Sequence, residues 1–107
     1  MEYHRIIISA DEAIKNNNIP LAVDLLKDAL KENPLSVEAS YKLGLLNFKL
    51  GDLEKSIQYF KKTISLNPKF ASAYSSLGTI YFRLKNKNLT LENYLKSINL
   101  DPKNFLT

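Results

Sequence analysis

From Tyr41 the chain reads Tyr41-Lys42-Leu43-Gly44, runs on through Leu50-Gly51-Asp52-Leu53-Glu54-Lys55-Ser56-Ile57 and closes on Leu66-Asn67-Pro68. Ala39, Leu43, Leu46 and Leu50 fall three or four residues apart, the spacing of a helix with one buried stripe, and Leu53, Ile57, Phe60 and Ile64 repeat it. Between the two runs, Gly51 tolerates the left-handed conformation past a helix end and Asp52 can cap the start of the next helix. Pro68 ends the second run, because proline has no N–H donor and pushes its predecessor out of the helical region. The segment therefore predicts two helices joined by a tight turn.

The same pattern recurs on either side. Pro34, Pro68 and Pro102 stand 34 residues apart, and a constant period of this length marks a stacked-repeat protein. Aligned on the prolines, the chain divides into repeats 3–36, 37–70 and 71–104 with a short tail at 105–107. Small residues fill the eighth place (Ala10, Gly44, Gly78), the twentieth (Ala22, Ser56, Thr90) and the twenty-seventh (Ala29, Thr63, Ser97). Leu26, Phe60 and Tyr94 fill the twenty-fourth. Six helices are predicted, at 3–16, 20–32, 37–50, 53–66, 71–84 and 88–100, paired as three antiparallel hairpins. Leu43, Gly44, Ile57, Phe60, Ile64, Leu77, Gly78 and Tyr94 are expected to hold them together.

These columns resemble the tetratricopeptide repeat, which carries a small residue at place eight, an aromatic near eleven, small residues at twenty and twenty-seven, an aromatic at twenty-four and proline at thirty-two. The resemblance covers nearly the whole chain. It implies an all-α fold, a right-handed superhelical solenoid of three helix-turn-helix hairpins in a single domain over residues 1–107. Two places depart from the pattern. Asn47 stands where an aromatic is usual, and a buried amide needs a partner, so a hydrogen bond or partial exposure is expected there. The third turn reads Lys85-Asn86-Lys87-Asn88 in place of Gly-Asp. A left-handed lysine costs roughly 1 kcal/mol, unless the turn shifts by one place onto Asn86.

Composition excludes several classes of function. With 107 residues and no cysteine, the chain has neither a disulfide framework nor a thiolate metal site. Its single histidine, His4, has no ligand set around it, Asp11, Glu12 and Glu38 read as solvated helix charges, and no glycine-rich phosphate loop is present. No catalysis, metal or cofactor is expected. The run Ile6-Ile7-Ile8 is too short to span a bilayer and the N-terminus has no signal-peptide core, so no membrane association and a cytoplasmic location are expected. The formal net charge of +4 and a pI near 9.3 raise nucleic acid as a rival ligand. The lysines at 55, 61, 62, 69, 87 and 96 are, however, scattered around the helices rather than gathered with stacking aromatics.

What remains is protein binding. The resemblance implies that the first helix of each hairpin lines a concave groove, which assigns Ile7, Asp11, Ile14 and Lys15 from the first repeat to a partner-binding surface. His4 and Ile8 stand beside them. The second repeat contributes Tyr41, Lys42, Leu45, Phe48 and Lys49, and the third Ser76, Thr79, Phe82 and Arg83. Apolar places beside cationic ones suit a protein or peptide partner with apolar side chains and an acidic residue. The family's clamp for the C-terminal carboxylate of heat-shock chaperones is not expected, since Ile7, Asp11, Lys42, Ser72 and Ser76 occupy the positions it needs. Arrays of this kind usually close with a polar capping helix, and none follows Pro102. Leu91, Leu95, Ile98 and Phe105 are therefore expected at an open end, either because the array continues or because a homo-oligomer forms there by self-association.

Overall fold

The structure is a computed structural model that describes residues 2–105, with side chains given through residue 103. The place assigned to Phe105 in self-association thus lies outside the described side chains, as does Leu106. Six helices follow one another: α1 (Glu2–Lys15), α2 (Ile19–Glu32), α3 (Val37–Lys49), α4 (Leu53–Leu66), α5 (Ala71–Arg83) and α6 (Lys87–Leu100), then a short 3₁₀ turn at Pro102–Phe105. Every boundary falls within one residue of its prediction, and no strand occurs among the described residues. The chain forms two compact units, Met1–Tyr59 and Phe60–Thr107, divided inside α4.

One turn geometry closes all three hairpins. Asn17, Gly51 and Lys85 take left-handed backbone with φ of 59°, 84° and 61°. Each is followed by a residue whose N–H donates to the carbonyl five places back: Asn18 to Ala13 at 2.7 Å, Asp52 to Asn47 at 2.9 Å and Asn86 to Tyr81 at 2.9 Å. That pattern satisfies carbonyls orphaned at a helix C-terminus. The same Asn or Asp then turns its side-chain oxygen to the next helix, accepting from the N–H of Leu21, Lys55 or Leu89. In the third turn Lys85 itself is left-handed and Asn86 is the cap, so the turn does not shift. The segments that follow the hairpins repeat as well. Asn33, Asn67 and Asp101 each stand before a proline and accept at Oδ1 from the N–H two places on, a local Asx turn that needs no other partner.

In the first unit the core is formed by Ile7, Ala10 and Ala13 of α1, Ile19, Ala22, Val23, Leu26 and Ala29 of α2, and Ala39, Leu43 and Leu46 of α3. Leu50, expected in the buried stripe, is the C-cap of α3 and stands 52 % exposed. The stripe of α4 is also displaced from its expected centre. Ser56, Phe60 and Thr63 are buried, whereas Leu53, Ile57 and Ile64 are only half-buried. The small hydroxyl residue allows close approach, and Ser56 Oγ donates to the carbonyl of Gly44 at 2.7 Å. Asn47 is buried and donates from Nδ2 to the Leu43 carbonyl at 2.9 Å, the partner that its burial requires.

The second unit packs α5 on α6 around Ala73, Leu77 and Ile80. Ser97 Oγ donates to the Ala71 carbonyl at 2.9 Å, and the hydroxyls of Thr79 and Tyr94 lie 2.8 Å apart. Gly78 fits beneath the Tyr94 ring so closely that a Cβ there would stand 2.6 Å from Cδ1 and 2.7 Å from Cε1. Gly78→Ala should therefore cost about 1–3 kcal/mol as the ring is pushed off its seat, seen as a lower urea midpoint. At Gly51 an added Cβ meets nothing within 4 Å, so Gly51→Ala should lose only the roughly 1 kcal/mol of left-handed backbone. Equal losses at the two glycines would show that the Tyr94 contact is not what limits Gly78.

Candidate partner-binding surfaces

In the first unit the expected groove residues divide by burial. Lys15, Leu45 and Lys49 are exposed, Ile14, Tyr41 and Phe48 are half-buried, and Ile8 stands 63 % exposed. Ile7 must be withdrawn from the surface set. It points into the core with Ala10 and Ala13, the residues three and six places on along the same helix face.

Asp11 and Lys42 do come together, and with each other. Lys42 Nζ donates to Asp11 Oδ1 at 2.6 Å and to Glu38 Oε2 at 2.7 Å, joining α1 to α3 and closing one turn of α3. Burial disfavours the Lys42 charge, but the hydrogen bonds and charges of Asp11 and Glu38 outweigh it and hold its pKa above the usual 10.5. One cation between two carboxylates leaves this cluster net negative. An acidic ligand would have to displace a carboxylate from Lys42 before using it.

In the second unit Ser76 and Thr79 are half-buried. The Thr79 hydroxyl is occupied by the Ser75 carbonyl at 3.1 Å and by Tyr94, so it serves the hairpin. Phe82, by contrast, is 70 % exposed. It lines a cleft of about 660 Å³ with Arg83, Lys85, Asn86, Lys87, Thr90, Leu91 and Tyr94. Phe82 and Arg83 of the expected groove thus share a wall with Leu91 of the expected open end. Lys85 and Lys87 carried no functional assignment in the sequence, where their departure from Gly-Asp reads as an irregular turn. Leu91, Leu95 and Ile98 on α6 are 61 %, 49 % and 38 % exposed. Among the described residues no group of three metal-binding side chains gathers, and no helix is long and apolar enough to cross a membrane.

The Lys42 cluster predicts a pH and salt dependence of stability. Because the folded-state pKa is raised, the contribution is complete below pH 10.5 and is lost as the pH rises through the higher folded value. With both carboxylates about half exposed, Lys42→Met should cost about 0.5–1 kcal/mol in low salt near neutral pH. The gap between the two proteins in chemical unfolding should narrow in high salt and again above the lysine titration. A gap indifferent to both would assign the loss to packing of the lysine stem.

Family patterns described as tetratricopeptide repeat match residues 9–69 and 71–104. No curated protein matches the chain. Among solved structures, one of MamA is 27 % identical with a TM-score of 0.90, over 98 % of this chain and 61 % of that one. A second MamA structure is 28 % identical with a TM-score of 0.86, over 94 % and 55 %. This chain therefore spans little more than half the length of either. The first repeat domain of Spaghetti (RPAP3), bound to the HSP90 peptide SRMEEVD, shares the fold at 18 % identity with a TM-score of 0.90, over 97 % and 82 %. Six helices in hairpin order and a family pattern across more than half of the residues place the chain in the tetratricopeptide repeat family, whose members are generally non-catalytic protein-interaction modules.

Proposed function

We propose that the chain is a non-catalytic scaffold that binds a partner peptide or helix on the exposed faces of its first helices, α1 and α3 in the first unit and α5 in the second, each taken by itself. The observation that carries this reading is a large apolar side chain left in solvent on each of them: Ile8, Leu45 and Phe82 at 63 %, 40 % and 70 % exposure. Cations stand close by in sequence at Lys15, Lys49 and Arg83, all exposed. Burying an apolar side chain of a partner against such a residue supplies affinity, and a charge beside it supplies orientation more than strength.

The fold shared with the peptide-bound Spaghetti domain is compatible with this role, but the peptide chemistry should differ. A ligand ending in acidic residues and a free carboxylate needs cations that are not already engaged. On α3, Lys42 is held by Asp11 and Glu38, and Ser72 and Ser76 bring no charge to α5. The ligand favoured here is apolar with a single acidic group.

A peptide-library screen at two salt concentrations, run on the native chain and on Leu45→Asp/Phe48→Ala after equal helicity is confirmed, tests the reading. The native chain should enrich apolar peptides with an acidic residue, and the variant should lose them by about ten-fold or more in affinity. Identical enrichment by both proteins would remove α3 from the binding surface. Binding that collapses with salt for every sequence alike would point instead to polyanion binding.

A further inference from the structure

The cleft at the α5–α6 turn is a second and different surface. Apolar side chains, Phe82, Leu91 and the Tyr94 ring, line it together with the exposed cations Lys85 and Lys87, which form its rim. No carboxylate is among the described residues lining it. From Leu91 an apolar stripe continues along α6 through Leu95 and Ile98, spaced four and three residues apart, so that it covers two helical turns or about 10 Å.

We infer that this cleft and stripe form a docking site for an amphipathic helix of a partner protein that carries acidic side chains at one end of its apolar face. The stripe presents one apolar face of α6 against which the like-spaced anchors of an amphipathic helix can pack. Lys85 and Lys87 stand at the Leu91 end, whereas Lys96 farther along α6 lies over the Tyr74 ring, so the acidic residues of the partner belong at the Leu91 end. Charge also selects among occupants. A symmetric contact between two copies of this chain would place the same patch against itself and set the lysines of each copy against the cleft or the Ile98 end of the other, where neither the described cleft lining nor the apolar stripe supplies a carboxylate. An acidic partner meets the same rim with opposite charge, which favours encounter and register. This site goes beyond the first-helix surface proposed above. Phe82 and Arg83 belong to both, so residues confined to one must separate them.

Fluorescence anisotropy with labelled synthetic helices tests it on the full chain. The probe has leucines at i, i+4 and i+7 with a cluster of glutamates at one end; its controls reverse the glutamates to lysines or replace the leucines by serine. The acidic probe should bind, and both control peptides should lose affinity by at least about ten-fold. On a Leu45→Asp background that disables the first-helix surface, Leu91→Asp and Lys85→Glu/Lys87→Glu should each cause a similar loss. All substituted side chains are exposed, and circular dichroism confirms that each variant keeps its helicity. Equal binding of the lysine-reversed peptide would overturn the charge assignment. Loss on Leu45→Asp with no further loss on adding Leu91→Asp would move the binding to the first-helix surface and overturn this site. No binding of the acidic probe would also overturn it, and a native dimer that Leu91→Asp converts to monomer in sedimentation would reassign the cleft to contact between copies.

Discussion

The hairpins depend on one chain reversal, in which a left-handed residue comes directly before an Asn or Asp that ends one helix and starts the next. At residues 17–18, 51–52 and 85–86 the reversal has the same bonds, so each pair of helices enters its crossing in the same register. Only then can a residue at place eight meet the helix opposite, as Gly44 meets Ser56 and Gly78 meets Tyr94. Glycine takes the left-handed position without steric cost and asparagine with little, whereas lysine costs roughly 1 kcal/mol. The third turn accepts that cost with its backbone bonds intact. Lys85 is thereby set at the rim of the cleft.

Close crossing brings polar atoms inside, and their satisfaction follows two routes. Asn47 and Asn93 donate to carbonyls four residues back in their own helices, Leu43 and Leu89. They ask nothing of a neighbouring helix. Ser56 and Ser97 instead reach across to Gly44 and Ala71, where the small side chain and the bonded hydroxyl serve the same contact. Net gains from such bonds are only about 1 kcal/mol each, but an unmade one inside would cost more. No buried side-chain nitrogen or oxygen among the described residues lacks a partner, so the polar places in the buried stripes are compatible with a packed interior.

Much of this was readable from local chemistry. Turn, cap and proline signals act over a few residues, which is why the helix bounds could be placed and why Gly51-Asp52 announced its turn. Asn17-Asn18 builds the same turn but is harder to see, since asparagine serves both as left-handed residue and as cap. Phase was the weaker signal. The run Ile6-Ile7-Ile8 is apolar around the helix, and sequence spacing cannot tell that Ile7 faces the core while Ile8 is 63 % exposed. The Lys42 cluster escaped for another reason: Asp11 lies 31 residues away in sequence, and a salt bridge between helices leaves no local mark. The cleft was half legible, since its residues had been divided between a groove and an open end.

Charge in this molecule is better understood site by site than from its total. A formal net charge of +4 suggests a generally cationic surface, yet Lys42 on α3 is held by two carboxylates of its own chain. An acidic ligand arriving there must break charge-assisted bonds before making new ones, and the gain largely cancels. At the α5–α6 turn Lys85 and Lys87 line the cleft beside Phe82 and Leu91, and no carboxylate is among the described residues that line it. The lysine that replaced glycine weakens the turn and, by the same substitution, supplies the rim with a charge that the two other turns lack at that place.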